Sequence, residues 1–238
     1  MRRSVTRSGD VAGQAERWAA YDRRLAVDHV LIAVVDLAEA GHEFEAKHGL
    51  TSIEGGRHPG WGTANRIVPL GESYLELVAV VDRDEAAESD FGRWVAAVDA
   101  ESGSRPFAWA LRTNDLDRIA QRLGLIIESG SRVTPEGQVL RWRAASLDEP
   151  AAEPSLPFFI EWAEGSAFPG RAAVVHPAGS VEIERLDLSG DIARLSRWLG
   201  THELPISVRA GQPAVERVVL KASDNEIVIS AVRAGADS

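Results

Sequence analysis

One order of elements recurs three times along this chain: a strand, a helix, then three more strands. In the first pass "LAVDHVLIAVVD", residues 25 to 36, is short, apolar and β-branched, which reads as a strand. The helix "LAEAGHEFEAKHG" follows, with Leu37, Ala40, Phe44 and His48 at helical spacing and Gly49 to end it. "LTSIEGG", "TANRIVPL" and "SYLELVAVV" supply the other strands, with "RHPGWG" as a loop. The second pass runs "FAWALRT", the helix "NDLDRIAQRLG", "LIIESGSRVT", "GQVLRWRAAS" and "PFFIEWAE", with Asn114 as the expected helix N-cap. The third runs "SVEIERLDLSG", "DIARLSRWLG", "LPISVRAG", "AVERVVLKA" and "NEIVISAV". First strands begin about 80 and then about 75 residues apart, a period that decides the fold class more firmly than any single propensity. The expectation is an α+β chain of βαβββ modules: 25–82, 106–165 and a third C-terminal module at 166–238. Residues 83–105 read as a helical connector with Phe91, Trp94, Val95 and Val98 on one apolar face. Residues 1–24 read as an extension whose first eight residues are disordered and whose positions 11–24 form a short helix capped by Asp10.

Composition narrows the function. The formal net charge of −10 over 238 residues argues against nucleic acid as a partner, since phosphate binding needs a basic footprint. No apolar run reaches the roughly 18 residues of a membrane span, and the charged start lacks the apolar stretch of a secretory signal. There is no Cys, so thiolate ligands, disulfides and a Cys nucleophile are excluded, and a cytoplasmic location is the expectation. No P-loop, GxGxxG or GxSxG motif occurs, so neither a nucleotide cofactor nor a hydrolase elbow is expected.

Two carboxylates stand out. Glu76 lies in "SYLELVAV" and Glu161 in "PFFIEWAE", each within an apolar strand. A buried carboxylate costs several kcal/mol unless it is protonated, ion-paired or bound to a metal. Placing His29 and Trp109 at matching points on the first strands puts Glu76 and Glu161 at matching points on the last. The loop "RHPGWGTANR" adds an imidazole, an indole, an amide and a guanidinium from His58, Trp61, Asn65 and Arg66. Gly60 and Gly62 would let its backbone approach a ligand, and Arg66 could fork onto a carboxylate. Trp142 is read as core; His42, His48, His176 and His202 are read as structural or solvated.

"DHV" opening the first strand, "YLEL" closing the fourth and above all "HPGWGTANRIVPLGESYLELVAVVD", residues 58 to 82, resemble the vicinal oxygen chelate superfamily and its glyoxalase-like domains. The likeness covers residues 25–165 well and the last 60 or so more weakly. It implies paired modules whose curved, mostly antiparallel sheets enclose a cupped site. It also implies a metal held from first and last strands. Carried over, His29, Glu76 and Glu161 are the expected metal ligands, with Glu76 or Glu161 as general base, while Trp109 occupies the fourth position and cannot ligate. An oxygen-rich set of this kind suits Mg²⁺, Mn²⁺, Zn²⁺ or Ni²⁺. The implied activity is a metal-assisted lyase or isomerase acting on a small oxygen-bearing metabolite. The alternative is a metal-free protein that binds or sequesters a small molecule, with Trp109 stacking on it. An odd third module suggests a homodimer or an internal decoration.

Overall fold

A computed structural model describes residues 25–98, 103–223 and 225–230. The extension with its expected disorder, its helix at 11–24 and its Asp10 cap lies outside the described residues, as do residues 99–102 of the connector.

The first module contains β1 (Ala26–Ala33), α1 (Leu37–His48), β2 (Ile53–His58), β3 (Thr63–Pro69) and β4 (Tyr74–Val80). Asp36 caps α1 by accepting from the Glu39 amide, and Gly49 closes it at φ 65°. The connector forms two short helices, α2 (Arg83–Ala87) and α3 (Asp90–Ala97). The second module contains β5 (Arg105–Arg112), α4 (Leu116–Leu123), β6 (Ile127–Val133), β7 (Val139–Ala145), α5 (Asp148–Ala152) and β8 (Phe158–Trp162). Helix α4 starts one residue later than expected, with Asp115 rather than Asn114 at its cap.

The eight strands close into a barrel in the order β1-β4-β3-β2-β6-β7-β8-β5. Strands β1 and β4 are parallel, as are β5 and β8; the other neighbours are antiparallel. The modules meet at two seams. Along one, β1 and β5 pair over their full length, from Ala26↔Arg112 to Ala33↔Arg105. The other rests on the single pair Arg57↔Val133 between β2 and β6. Gly56 makes that second seam possible: it sits at φ 128°, and a Cβ there would stand 2.0 Å from the Val133 carbonyl oxygen. The barrel interior is the cup that the resemblance implied.

The third pass supplies β9 (Glu182–Gly190), α6 (Ile192–Leu199), β10 (Ile206–Ala210), β11 (Ala214–Lys221) and β12 (Glu226–Ser230). Its element order repeats, but its winding does not. The strands run β10-β9-β11-β12, with first and second strands parallel neighbours, where the first module pairs its first strand with its fourth. This sheet packs on the outside of β5. Leu186, Leu188, Trp198, Val218 and Leu220 share one continuous core with Val30, Ile32, Trp109, Leu111 and Phe159 of the barrel wall. The odd module therefore buries one face within its own chain, against the barrel wall. His176 ties the linker down, accepting from the Thr51 amide through Nδ1 and contacting the Pro69 carbonyl through Nε2.

Candidate functional site

Strand alternation decides which side chains enter the barrel. On β1 these are His29 and Leu31; on β3, Thr63 and Asn65; on β4, Tyr74 and Glu76. His58, opposite Thr63 at the end of β2, joins them. The first module thus delivers every histidine and carboxylate that lines the cavity. The second delivers mostly apolar side chains: the rings of Trp142, Phe158 and Trp162 with Ala144, Leu147 and Ile160, and one guanidinium, Arg132. Trp61 from the β2–β3 turn and Phe91 from α3 close one side. The cavity encloses about 470 Å³ unfilled by protein, mouth included.

The polar wall is a connected network. Buried Asp28 accepts from His29 Nδ1 at 2.7 Å and from Trp162 Nε1 at 3.0 Å, with the Arg112 guanidinium 3.5 Å away. Having its Nδ1 occupied by a carboxylate, His29 presents Nε2 to the cavity, 3.4 Å from Glu76 Oε2. Tyr74 stacks on the imidazole with centroids 4.6 Å apart, which fixes the ring plane. Asn65 Nδ2 donates to Glu76 Oε1 at 2.7 Å and lies 3.3 Å from His58 Nε2. His58 Nδ1 faces the Thr63 hydroxyl at 2.8 Å. Burial lowers the His58 pKa to about 4, a shift that Glu76 opposes and Arg132 and His29 reinforce. His58 is therefore neutral at pH 7 and serves as a hydrogen-bonding group. Burial, with Asp28 and Glu76 adding to it, pushes the Tyr74 phenol well above its ordinary value, so it stays protonated.

Five of the expected site residues meet in this cavity: His29, Glu76, His58, Trp61 and Asn65. Three do not. Glu161 points away from the barrel interior, ion-paired with Arg143, its cross-strand neighbour, which also binds Asp117 on α4. Trp109 is fully buried on the outer face of β5, in the core shared with the third sheet, and its Nε1 donates to the Ser155 carbonyl. Arg66 also faces outward and donates to the Ser52 hydroxyl and carbonyl, both at 2.9 Å.

The first two departures share one cause. The helices following β1 and β5 begin at Leu37 and Leu116, so the modules lie 79 residues apart and His29 corresponds to Ala108, one residue before Trp109. A slip by an odd number of residues, one for Trp109 against Ala108 and three for Glu161 against Phe158, turns a side chain to the opposite face. By the same register Leu31, opposite Glu76, corresponds to Ala110, opposite Phe158. The positions equivalent to His29 and Glu76 are therefore Ala108 and Phe158, neither of which can bind a cation. Trp142 and Arg132 are cavity residues that lie outside the expected site set. Trp142, read as core, lines the cavity. It lies over Gly130, where a Cβ would stand 2.3 Å from the indole Nε1. Arg132, on β6, was not singled out; barrel closure buries it.

The expected metal set does not assemble. Glu161 is on the wrong face, and among the described residues no group of three His, Cys, Asp or Glu is placed to hold an ion. Nor is any helix among them long and apolar enough to cross a membrane.

Comparison with known proteins agrees with this architecture. No curated protein matches the sequence. Among solved structures, a hypothetical protein from Staphylococcus aureus superposes with a TM-score of 0.67 at 16% identity, covering 84% of this chain and 92% of that one. Methylmalonyl-CoA epimerase from Mycobacterium tuberculosis gives 0.41 at 19% identity, over 58% of this chain and 86% of that one. The Streptomyces coelicolor enzyme in complex with 2-nitronate-propionyl-CoA gives 0.43 at 19%, over 59% and 98%. At 16% identity the first likeness speaks to fold alone, and the two epimerase overlaps are too partial to add to it. The glyoxalase-like domain model matches residues 27–204, the two barrel modules and the start of the third, and with it the chain belongs to the glyoxalase-like domain family of the vicinal oxygen chelate superfamily.

Proposed function

We propose that the protein binds a small, mainly apolar molecule inside the barrel, seats one polar group of that molecule between His29 Nε2 and Glu76 Oε2, and needs no metal to do so. One observation carries this reading: a ring-lined cavity with its hydrogen-bonding groups gathered on a single wall. Apolar walls with a few convergent polar groups are the usual build of a small-molecule site. The rings supply contact area, and the polar pair fixes orientation. A hydroxyl suits that pair, since its one proton can be given to either acceptor, Glu76 Oε2 or the Nε2 left free when His29 donates through Nδ1 to Asp28. Ala108 and Phe158 support the metal-free version, because they stand where the second module would contribute ligands.

A second reading has one specific observation in its favour. His29 lies between the carboxylates of Asp28 and Glu76, the arrangement of an oriented imidazole able to pass a proton to or from a bound molecule. Turnover of isomerase type would then use His29 and Glu76 alone.

The neutral alcohol 3-phenylpropan-1-ol tests the binding reading, because Trp61, Trp142 and Trp162 report occupancy through their fluorescence. Saturable quenching that is unchanged by EDTA is expected. Quenching abolished by chelator would return the site to a metal-dependent one, and no quenching by this or other small aromatics would remove the proposal.

A further inference from the structure

Arg132 is the one charged group in the cavity that the binding scheme leaves unused. It is 5% exposed and lines the cavity, pointing inward from β6. Its guanidinium carries five N–H donors. Among the described residues its hydrogen bond goes from Nη1 to the Gly55 carbonyl, and no carboxylate forms an ion pair with it. Glu76 is engaged by Asn65 and His29 instead. Exposed Glu136 lies toward the outer side of Arg132, but its carboxyl is held down chiefly by its own backbone amide and the Thr134 hydroxyl, with Arg132 the smallest influence. Neutral His58 beside it compensates no charge.

A buried charge without a partner costs several kcal/mol, a cost that an anionic ligand on the guanidinium would offset. Barrel closure forces this burial. Arg57↔Val133 pins β6 against β2, and Gly56, where a Cβ would strike the Val133 carbonyl, lets the strands approach closely enough to cover the guanidinium. A planar fork at the edge of a ring-lined cavity is suited to two parallel hydrogen bonds with a planar anion. One guanidinium matches one negative charge. A phosphate dianion would leave excess charge facing Glu76.

Resting on the binding reading above, we infer that Arg132 recognises a carboxylate, so that the molecule held in the barrel is a small organic acid with an apolar body against Trp61, Trp142 and Trp162. The acid group lies at Arg132, and a further polar group, where the molecule has one, lies between His29 and Glu76.

The test compares 3-phenylpropionate with its uncharged isostere 3-phenylpropionamide on the full chain, by tryptophan quenching and calorimetry. The carboxylate is expected to bind roughly tenfold tighter or more, the scale of a charge-assisted pair. Arg132→Gln should erase that preference while leaving amide affinity within about threefold, and Arg132→Lys should retain part of it, as a point charge without the fork. Equal wild-type affinities, or a preference that survives Arg132→Gln, would overturn the inference. If Arg132→Gln does not fold, the wild-type comparison decides alone. Amide and alcohol binding without any preference for the acid would sink this inference and leave the cavity reading standing; no binding of any of the three would sink both.

Discussion

Trp109→Ala lowers the stability of the fold by about 3–5 kcal/mol, the usual cost of emptying a buried indole site, and leaves ligand affinity untouched. Trp109 has no exposed surface and packs where β5, β8 and the third sheet meet. Its Nε1–H donates to the Ser155 carbonyl at 3.1 Å, so truncation also leaves a buried acceptor unpaired. For a chain of this length the loss corresponds to a fall in melting temperature on the order of 10 °C. Thermal unfolding followed by circular dichroism measures it, and 3-phenylpropan-1-ol binding below the new midpoint supplies the second readout. A stable Trp109→Ala protein with weakened binding would put the indole back in the cup.

Asp28→Ala gives the second large loss, about 3 kcal/mol or more. The carboxylate is wholly buried and holds His29 Nδ1, Trp162 Nε1 and, more loosely, Arg112. Removing one member of a buried charged network strands the others, which is the expensive direction. The Arg112 share is discounted, because its guanidinium is partly exposed and also contacts Glu72 and the Phe168 ring. Asp28→Asn keeps the shape and loses the charge, so it is expected to cost roughly half as much. Denaturant unfolding gives the free energies. Because Asp28 fixes the imidazole, ligand affinity should fall in both variants even at temperatures where they stay folded. A loss under about 1 kcal/mol for Asp28→Ala would mean that the network is not what holds β1 to β8 across the barrel wall.

The modules were legible because their signals are local. Asp36 and Gly49 bracket α1, Gly124 ends α4, and apolar runs mark the strands. Facing was harder to read. "AVDHVLIA" and "RPFAWALR" are apolar on both faces, since one lines the cavity and the other meets helices or the third sheet, so periodicity cannot say which residues turn inward. The helix starts carry the missing register: Leu37 and Leu116 align His29 with Ala108. In "FFIEW" the alternation was visible, with Phe158, Ile160 and Trp162 inward and Glu161 outward, but apolar Phe159 on the outer face disguised it. Arg132 was hidden for a different reason. Its burial depends on β6 meeting β2 across 75 residues of sequence, a contact no local pattern encodes. The winding of the third sheet likewise follows from its packing on β5.

Replacing Glu76 and Glu161 in turn by Gln, and titrating each full-length variant with 3-phenylpropan-1-ol, tests the account most directly. Binding inside the barrel against the first module's polar wall predicts roughly tenfold weaker affinity for Glu76→Gln, the worth of a hydrogen bond to a charged group. It predicts less than about a twofold change for Glu161→Gln, whose side chain lies on the far side of β8 with Arg143. The opposite pattern, with Glu161→Gln abolishing binding and Glu76→Gln silent, would contradict it.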